Sequence, residues 1–302
     1  MRRKLIQFSE RALVLTIPSS FVESNDLKKG DTVEVTDLGP RLLIATTPSN
    51  KKNRECADLR GLNASLVWHA ILSRYIRGSS EINIVTDEKM SDPRSGKSIK
   101  HREAVDRAID AMIGMKAVRK TKRSTTIKEA DSPRKEDPQL VLRRLWLNVM
   151  SMADRNPACL TKKDKAGAKR DKSGAKRAIA AEREINRLAL YLLRMQNIGE
   201  TIELSEAISQ SRLAHCLEEM GDAIKKSART AASRKHLKAA NDLIRSAYKC
   251  WFKPTNKTIE ELYSALMKVR ETAPQQGSCL GHACEELAES VVGRFLGGCA
   301  SD

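Results

Sequence analysis

Two carboxylates four residues apart, Glu218 and Asp222 in "HCLEEMGDAIKK", stand beside an apolar line of Leu217, Met220 and Ile224. On a helix this spacing sends both side chains to one side, where their oxygens can chelate a hard cation that neutralises their mutual repulsion. Spacing alone decides little. The chain carries four acidic pairs at this interval, 88/92, 106/110, 218/222 and 285/289, and the plainer reading is the solvated edge of an amphipathic helix. His215, one turn before Glu218, reads as a surface histidine. In the tail "CLGHACEELAESVVGRFLGGC", Cys279, His282, Cys284 and Cys299 fit none of the common zinc spacings. That segment reads as a docking helix built on Leu287, Val291 and Phe295. His69, His101 and His236 have no Ser or Cys nucleophile motif beside them, and the chain lacks a phosphate-cradling glycine loop and a paired-carboxylate hydrolase pattern. The expectation is a protein that is not an enzyme.

The elements that must position these residues are written in the apolar spacing. Leu142, Leu145, Val149 and Met152 step by 3, 4 and 3, and so do Ile185, Leu188, Leu192 and Met195. Leu213, Leu217, Met220 and Ile224, then Leu237, Ala240, Ile244, Ala247 and Trp251, then Ile259, Leu262, Leu266 and Val269 continue the habit. These are core stripes of an antiparallel helical bundle over 137–275, followed by a tail helix in 276–302. Pro254 breaks the chain, and a capping box from Thr258 to Glu261 opens the next helix. Between the first two bundle helices, "KKDKAGAKRDKSGAKR" (162–177) holds eight basic and two acidic residues and nothing apolar larger than alanine. It is a solubilising loop or helical extension, or a contact for an acidic partner or nucleic acid.

Residues 55–136 read as a small mixed α/β connector. "LVWHAILSRYI" is helical, "EINIVTD" a strand, "HREAVDRAIDAMIGMKAVRK" a second helix, and "TKRSTTIKEADSPRKEDP" a loop or weak strand. Within 1–48, Leu13, Leu15 and Ile17 alternate as a strand that Pro18 stops. A short helix through Phe21 and Val22 follows, then a turn at "KKGD", then strands around Val33–Val35 and Leu42–Ile44. So few apolar residues cannot close a core alone, and the unit is expected to pair with a second copy.

Composition narrows the class. Aromatics are 4% of the chain, and Leu, Ala, Ile and Met carry the apolar content, which favours helix. The net charge of +17 is uneven: basic against acidic residues number 7 to 6 in 1–50, 20 to 13 in 51–137, 11 to 3 in 138–180 and 17 to 16 in 181–302. A basic middle calls for a phosphate-bearing or acidic partner. If the N-terminal unit meets DNA, Arg2, Arg3, Lys4 and Arg11 are the nearest cations. Seven cysteines without a CxxC pair suggest a reducing cytoplasm, and no segment reads as a signal peptide or membrane span.

The order strand, proline, short helix, Lys-Gly-Asp turn and hairpin in "LTIPSSFVESNDLKKGDTVEV" resembles the SpoVT/AbrB family, with Ser19 where members commonly carry lysine. The resemblance implies a dimeric swapped-hairpin β-barrel that often binds DNA. "HCLEEMGDAIKKSA" resembles the PhoU family, whose Glu-x-x-x-Asp pairs hold metal ions; Glu218, Gly221 and Asp222 match, and Glu219 replaces the usual basic residue. The preceding "EREINRLALYLLRMQ" is also similar, with Asn186 where a second motif would have an acid, leaving Glu182 and Glu184 available. The resemblance implies a divalent metal or iron at Glu218 and Asp222, with Glu182 as a further ligand. Together the patterns resemble archaeal-type phosphate-uptake regulators: a mainly α, cytoplasmic homodimer without chemistry of its own, acting on a phosphate transporter ATPase or a signalling protein. Two other readings stay open, a DNA-binding transcription factor whose helical domain senses a metal or other ligand, and a basic architectural nucleic-acid binder.

Overall fold

Alternation at the start of the chain makes short strands that have nowhere to bury their apolar side. The computed structural model describes residues 3–10, 12–37, 39, 42–46, 53–130, 136–155, 172–198, 204–227, 233–273 and 278–296. It divides into two units, Met1–Lys51 and Lys52–Asp302.

In the first unit β1 (Ile6–Ser9) pairs antiparallel with β2 (Ala12–Val14), Ile6 opposite Val14. The expected strand through Ile17 is thereby corrected: β1 offers no partner beyond Val14, so the chain leaves the ladder before Pro18. Pro18 then serves as the N-cap of α1 (Ser19–Ser24), its carbonyl accepting from the N–H groups of Phe21 and Val22 at 3.0 and 3.1 Å. The Lys-Gly-Asp turn closes by two hydrogen bonds between Lys28 and Asp31, of 3.0 and 2.7 Å, with Gly30 at φ +98°. β3 (Val33–Asp37) and β4 (Leu42–Thr46) form the second hairpin. The two hairpins remain separate two-stranded sheets, and a single copy closes no barrel among the described residues. None of the side chains described in this unit is buried, and Leu5, Ile6, Phe8, Leu13, Val35 and Leu42 are all exposed.

The second unit opens with a sheet. β5 (Arg54–Asp58), α2 (Ala64–Ile76) and β6 (Glu81–Val85) form a parallel crossover. The hairpin β7 (Lys89–Asp92) and β8 (Lys97–Lys100) leads to α3 (His101–Asp110), then β9 (Met115–Lys120) and β10 (Ser124–Glu129). The sheet order is β5-β6-β10-β9. Ala57, Ile82, Ile84, Met115, Thr125 and Ile127 are buried on the side facing Val67, Ile71 and Tyr75 of α2 and Ala104, Val105 and Ala108 of α3. One expectation needs correction, and of the two readings of 121–138 the strand holds over Ser124–Glu129. The segment 101–120 is not one helix: Gly114 takes φ +81°, which an L side chain resists, and the chain turns there into β9. The polar "STTIKE" is the inner strand β10, because only Thr125 and Ile127 face the core.

The bundle follows the stripes closely. It consists of α4 (Pro138–Asp154), α5 (Lys172–Ile198), α6 (Leu204–Ser227), α7 (Arg234–Phe252), α8 (Asn256–Thr272) and α9 (Cys279–Leu296). Asp137 caps α4, accepting from the Gln139 N–H at 2.9 Å, and Pro138 sits where its missing N–H costs nothing. Every residue of the five stripes is buried except Ile259, which is partly so. Fully burying each large side chain is worth about 1.5–3 kcal/mol. The capping box lies one turn earlier than expected, between Thr255 and Thr258, because both threonine hydroxyls accept the other's N–H, at 2.9 and 3.1 Å. α9 packs on α6, α7 and α8, so the tail helix belongs to the bundle core. Of the basic segment, 162–171 lie outside the described residues and 172–177 begin α5. No helix of the described residues is long and apolar enough to cross a membrane.

The sheet and the bundle share one core through α2 and α5. Buried Arg194 of α5 donates to the carbonyls of Tyr75 at 2.6 Å and Ser79 at 3.2 Å, and pairs with Glu129 at 3.1 Å. Asn197 donates to the Ile76 carbonyl at 3.0 Å. These bonds tie the C-terminal end of α2 and the turn after it to α5, the Tyr75 carbonyl also accepting the Gly78 N–H at 3.0 Å.

Candidate metal centre

Gly221 brings the acidic faces of α5 and α6 together. A Cβ there would stand 3.2 Å from Ile185 Cδ1, tighter than ordinary packing, so hydrogen at this position permits the close approach of the two helices. Glu182 on α5 and Asp222 on α6 then reach a common point, and the cation at that point is the chain's own. The Lys225 ammonium lies 3.0 Å from Glu182 Oε1 and 2.7 Å from Asp222 Oδ1. Burial disfavours the charge on Lys225, but the hydrogen bonds it donates to Asp222 and Glu182 outweigh it and its pKa is raised. Asn186, one turn after Glu182, donates its amide to Glu182 Oε1 at 3.1 Å, and its own Oδ1 is buried without a partner.

Glu218 is one turn before Asp222, with about a third of its side chain exposed. Burial, and then the charge of Asp222, push its carboxyl above the usual carboxylate range. His215 lies 3.9 Å from Glu218 and 3.6 Å from Glu219, exposed, as a surface histidine would be. Glu184 turns away to Arg187 at 3.1 Å. Among the described residues, no three His, Cys, Asp or Glu side chains converge as a ready metal site. Three carboxylates suit a hard divalent ion in their chemistry, but two of them already share an ammonium, so metal and Lys225 compete for one place. Lys225 stands three positions after Asp222 on the same helix face, a bridging cation that the acidic spacing alone does not single out.

The other candidates separate. Arg3 and Lys4 are exposed just before β1, whereas Arg2 and Arg11 lie outside the described residues. Cys279 and His282 are exposed on α9 while Cys284 is fully buried, its thiol pushed up to about 12 by burial; Cys299 lies outside the described residues. His101 is buried with Thr86 Oγ1 2.6 Å from Nδ1 and Thr125 Oγ1 2.8 Å from Nε2. His236 is buried between Thr272 at 3.4 Å and Ser278 at 3.1 Å. Ser278 also accepts the Gly281 N–H at 3.3 Å, so this Ser–His contact closes the start of α9. Burial holds the pKa of both histidines below the ordinary value.

No family model matches this chain, and no curated protein or solved structure matches it.

Proposed function

We propose that this protein is a non-enzymatic regulator of phosphate uptake or its signalling, in which two copies assemble through swapped N-terminal hairpins and the helical unit engages a phosphate transporter ATPase or a signalling protein. The observation that supports this reading is the contrast between the two units. The first exposes Phe8, Leu13, Val35 and Leu42 and buries none of its described side chains, as a half-module awaiting a second chain would. The second buries an extensive apolar core within one chain. A PhoU-like bundle in this reading binds a divalent metal or iron at Glu218 and Asp222, with Glu182, once Lys225 withdraws. The test is a strain lacking the gene, compared with its parent during phosphate starvation and repletion. Phosphate uptake that stays high after repletion, with co-purification of the transporter ATPase by the tagged chain, is the expected result. Unchanged uptake with altered transcription would favour a DNA-binding transcription factor, for which exposed Arg3 and Lys4 supply the first phosphate contacts.

A further inference from the structure

Among the described residues the sheet order leaves β9 at an edge, and its register decides where the cations of the β9–β10 hairpin point. Lys120 opposes Thr125 and Ala117 opposes Ile127 on the helix-covered side, where Thr125 and Ile127 are buried and Lys120 reaches Asp106 of α3. Arg119 opposes Thr126 and Lys116 opposes Lys128 on the other side, where Cys56, Val85 and Val118 are exposed. Between these pairs the register shifts, leaving Val118 as an extra residue in the edge strand.

Charge on this hairpin is positive except at its far end, where Glu129 closes β10 and pairs with Arg194. From 111 to 128 the sequence has no carboxylate, and Lys116, Arg119, Lys120, Lys122, Arg123 and Lys128 are its cations. Lys128 is spent on Glu81, at 3.1 Å, which Arg54 also approaches at 3.4 Å. Among the described residues, Arg119, Lys122 and Arg123 form no ion pair. They occupy the turn and the strand end that enters it, so three uncompensated charges share one end of the hairpin.

We propose that the β9–β10 hairpin is a nucleic-acid contact surface that grips the phosphate backbone through Arg119, Lys122 and Arg123 without reading sequence. A guanidinium takes two phosphate oxygens at once and an ammonium acts as a point charge, so the trio suits a line of phosphates. The exposed side of the sheet presents Cys56, Asn83, Val85, Ser124 and Thr126 and no aromatic ring, so it lacks the stacking platform that base contacts need. An acidic peptide added as a fifth strand is disfavoured, because a bulge and a row of cations are the devices by which edges resist strand addition. The inference does not depend on the regulatory role or on the N-terminal cations.

The test titrates the full-length chain into a fluorescein-labelled 20-base-pair duplex of arbitrary sequence, between 50 and 200 mM KCl. R119A/K122A/R123A is expected to weaken binding about tenfold or more at 50 mM and to reduce the slope of log K against log salt by about 2.7, three contacts at about 0.9 each. Its circular dichroism melting should match the native chain, because the three side chains are exposed. R119K/K122R/R123K, which keeps the charges, should keep the native salt slope and lose clearly less affinity than the alanine variant. Binding by the alanine variant equal to native, or equal loss in the charge-keeping variant, overturns the proposal. So does a native chain that ignores the duplex at 50 mM KCl, or one that prefers poly-L-glutamate, which would assign the hairpin to an acidic protein.

Discussion

At the scale of single residues, Lys225 occupies the place between Glu182 and Asp222. An ammonium held between Glu182 and Asp222 does locally what a metal would do, neutralising two anions brought together by the Gly221 contact. K225M removes that charge and leaves the acids facing one another. Because these side chains are partly exposed, the loss should be modest, about 1–2 kcal/mol in urea unfolding at neutral pH. Added Mg²⁺, Mn²⁺ or Fe²⁺ should raise the melting temperature of K225M more than that of the native chain, and the further changes E218Q/D222N should remove the rise. Indifference of K225M to all three ions would return the carboxylates to the solvated edge of α6. Glu218 carries a separate signature. Its folded pKa is raised, so between its unfolded value near 4.5 and the raised folded value the native state binds more protons than the unfolded chain. This residue therefore contributes stability that grows as pH falls through that window and is absent above it. E218Q should flatten that part of the stability profile; a profile identical to native would mean that Glu218 is not desolvated in solution.

Elements were legible where one periodicity ruled and obscure where two faces differed. The bundle stripes could be read because each helix buries one face, and Leu142, Ile185, Leu213, Leu237 and Leu262 all lie in the core as spaced. β10 was obscure because its exposed side carries Ser124, Thr126 and Lys128, and β9 because Met112, Met115 and Val118 keep a helical interval across the break at Gly114. The candidate site was partly legible: Glu218 and Asp222 were singled out by their spacing together with the PhoU resemblance, but no local pattern announces that Gly221 would meet Ile185 or that Lys225 would bridge two helices. The junction of α2 and α5 was equally hidden, since Arg194 contacts residues more than sixty positions away. Gly78 tests that junction. It takes φ +91° at the turn after α2, and a Cβ would collide with Ile198 Cγ2. Ile198 is partly exposed and can move, so most of the cost of G78A is backbone strain of about 1–2 kcal/mol. The double change G78A/I198A should therefore recover little of the lost stability in thermal melts. Full recovery would show that steric contact, and not φ, sets the cost.

At the scale of the whole molecule, the two units differ in how much apolar surface they bury. A two-stranded hairpin is marginal in water, and a unit that exposes Phe8, Leu13 and Leu42 has an apolar surface it cannot cover by itself. A second copy would supply the same apolar strands, and pairing their edges would satisfy the free backbone groups at the same time. The helical unit has its own core, so its stability should depend little on that pairing. Charge placed on the hairpins separates these properties: F8D/L13D buries two carboxylates if the hairpins interlace, and only decorates a wet surface if they do not. Light scattering at micromolar concentration should give a dimer for the native chain and a monomer for F8D/L13D. The main helical melting transition, followed by circular dichroism, should stay within a few degrees between the two. A native monomer, or a dimer that survives both substitutions, would place the assembly surface elsewhere. A helical transition that collapses with the dimer would mean that the second unit leans on the first.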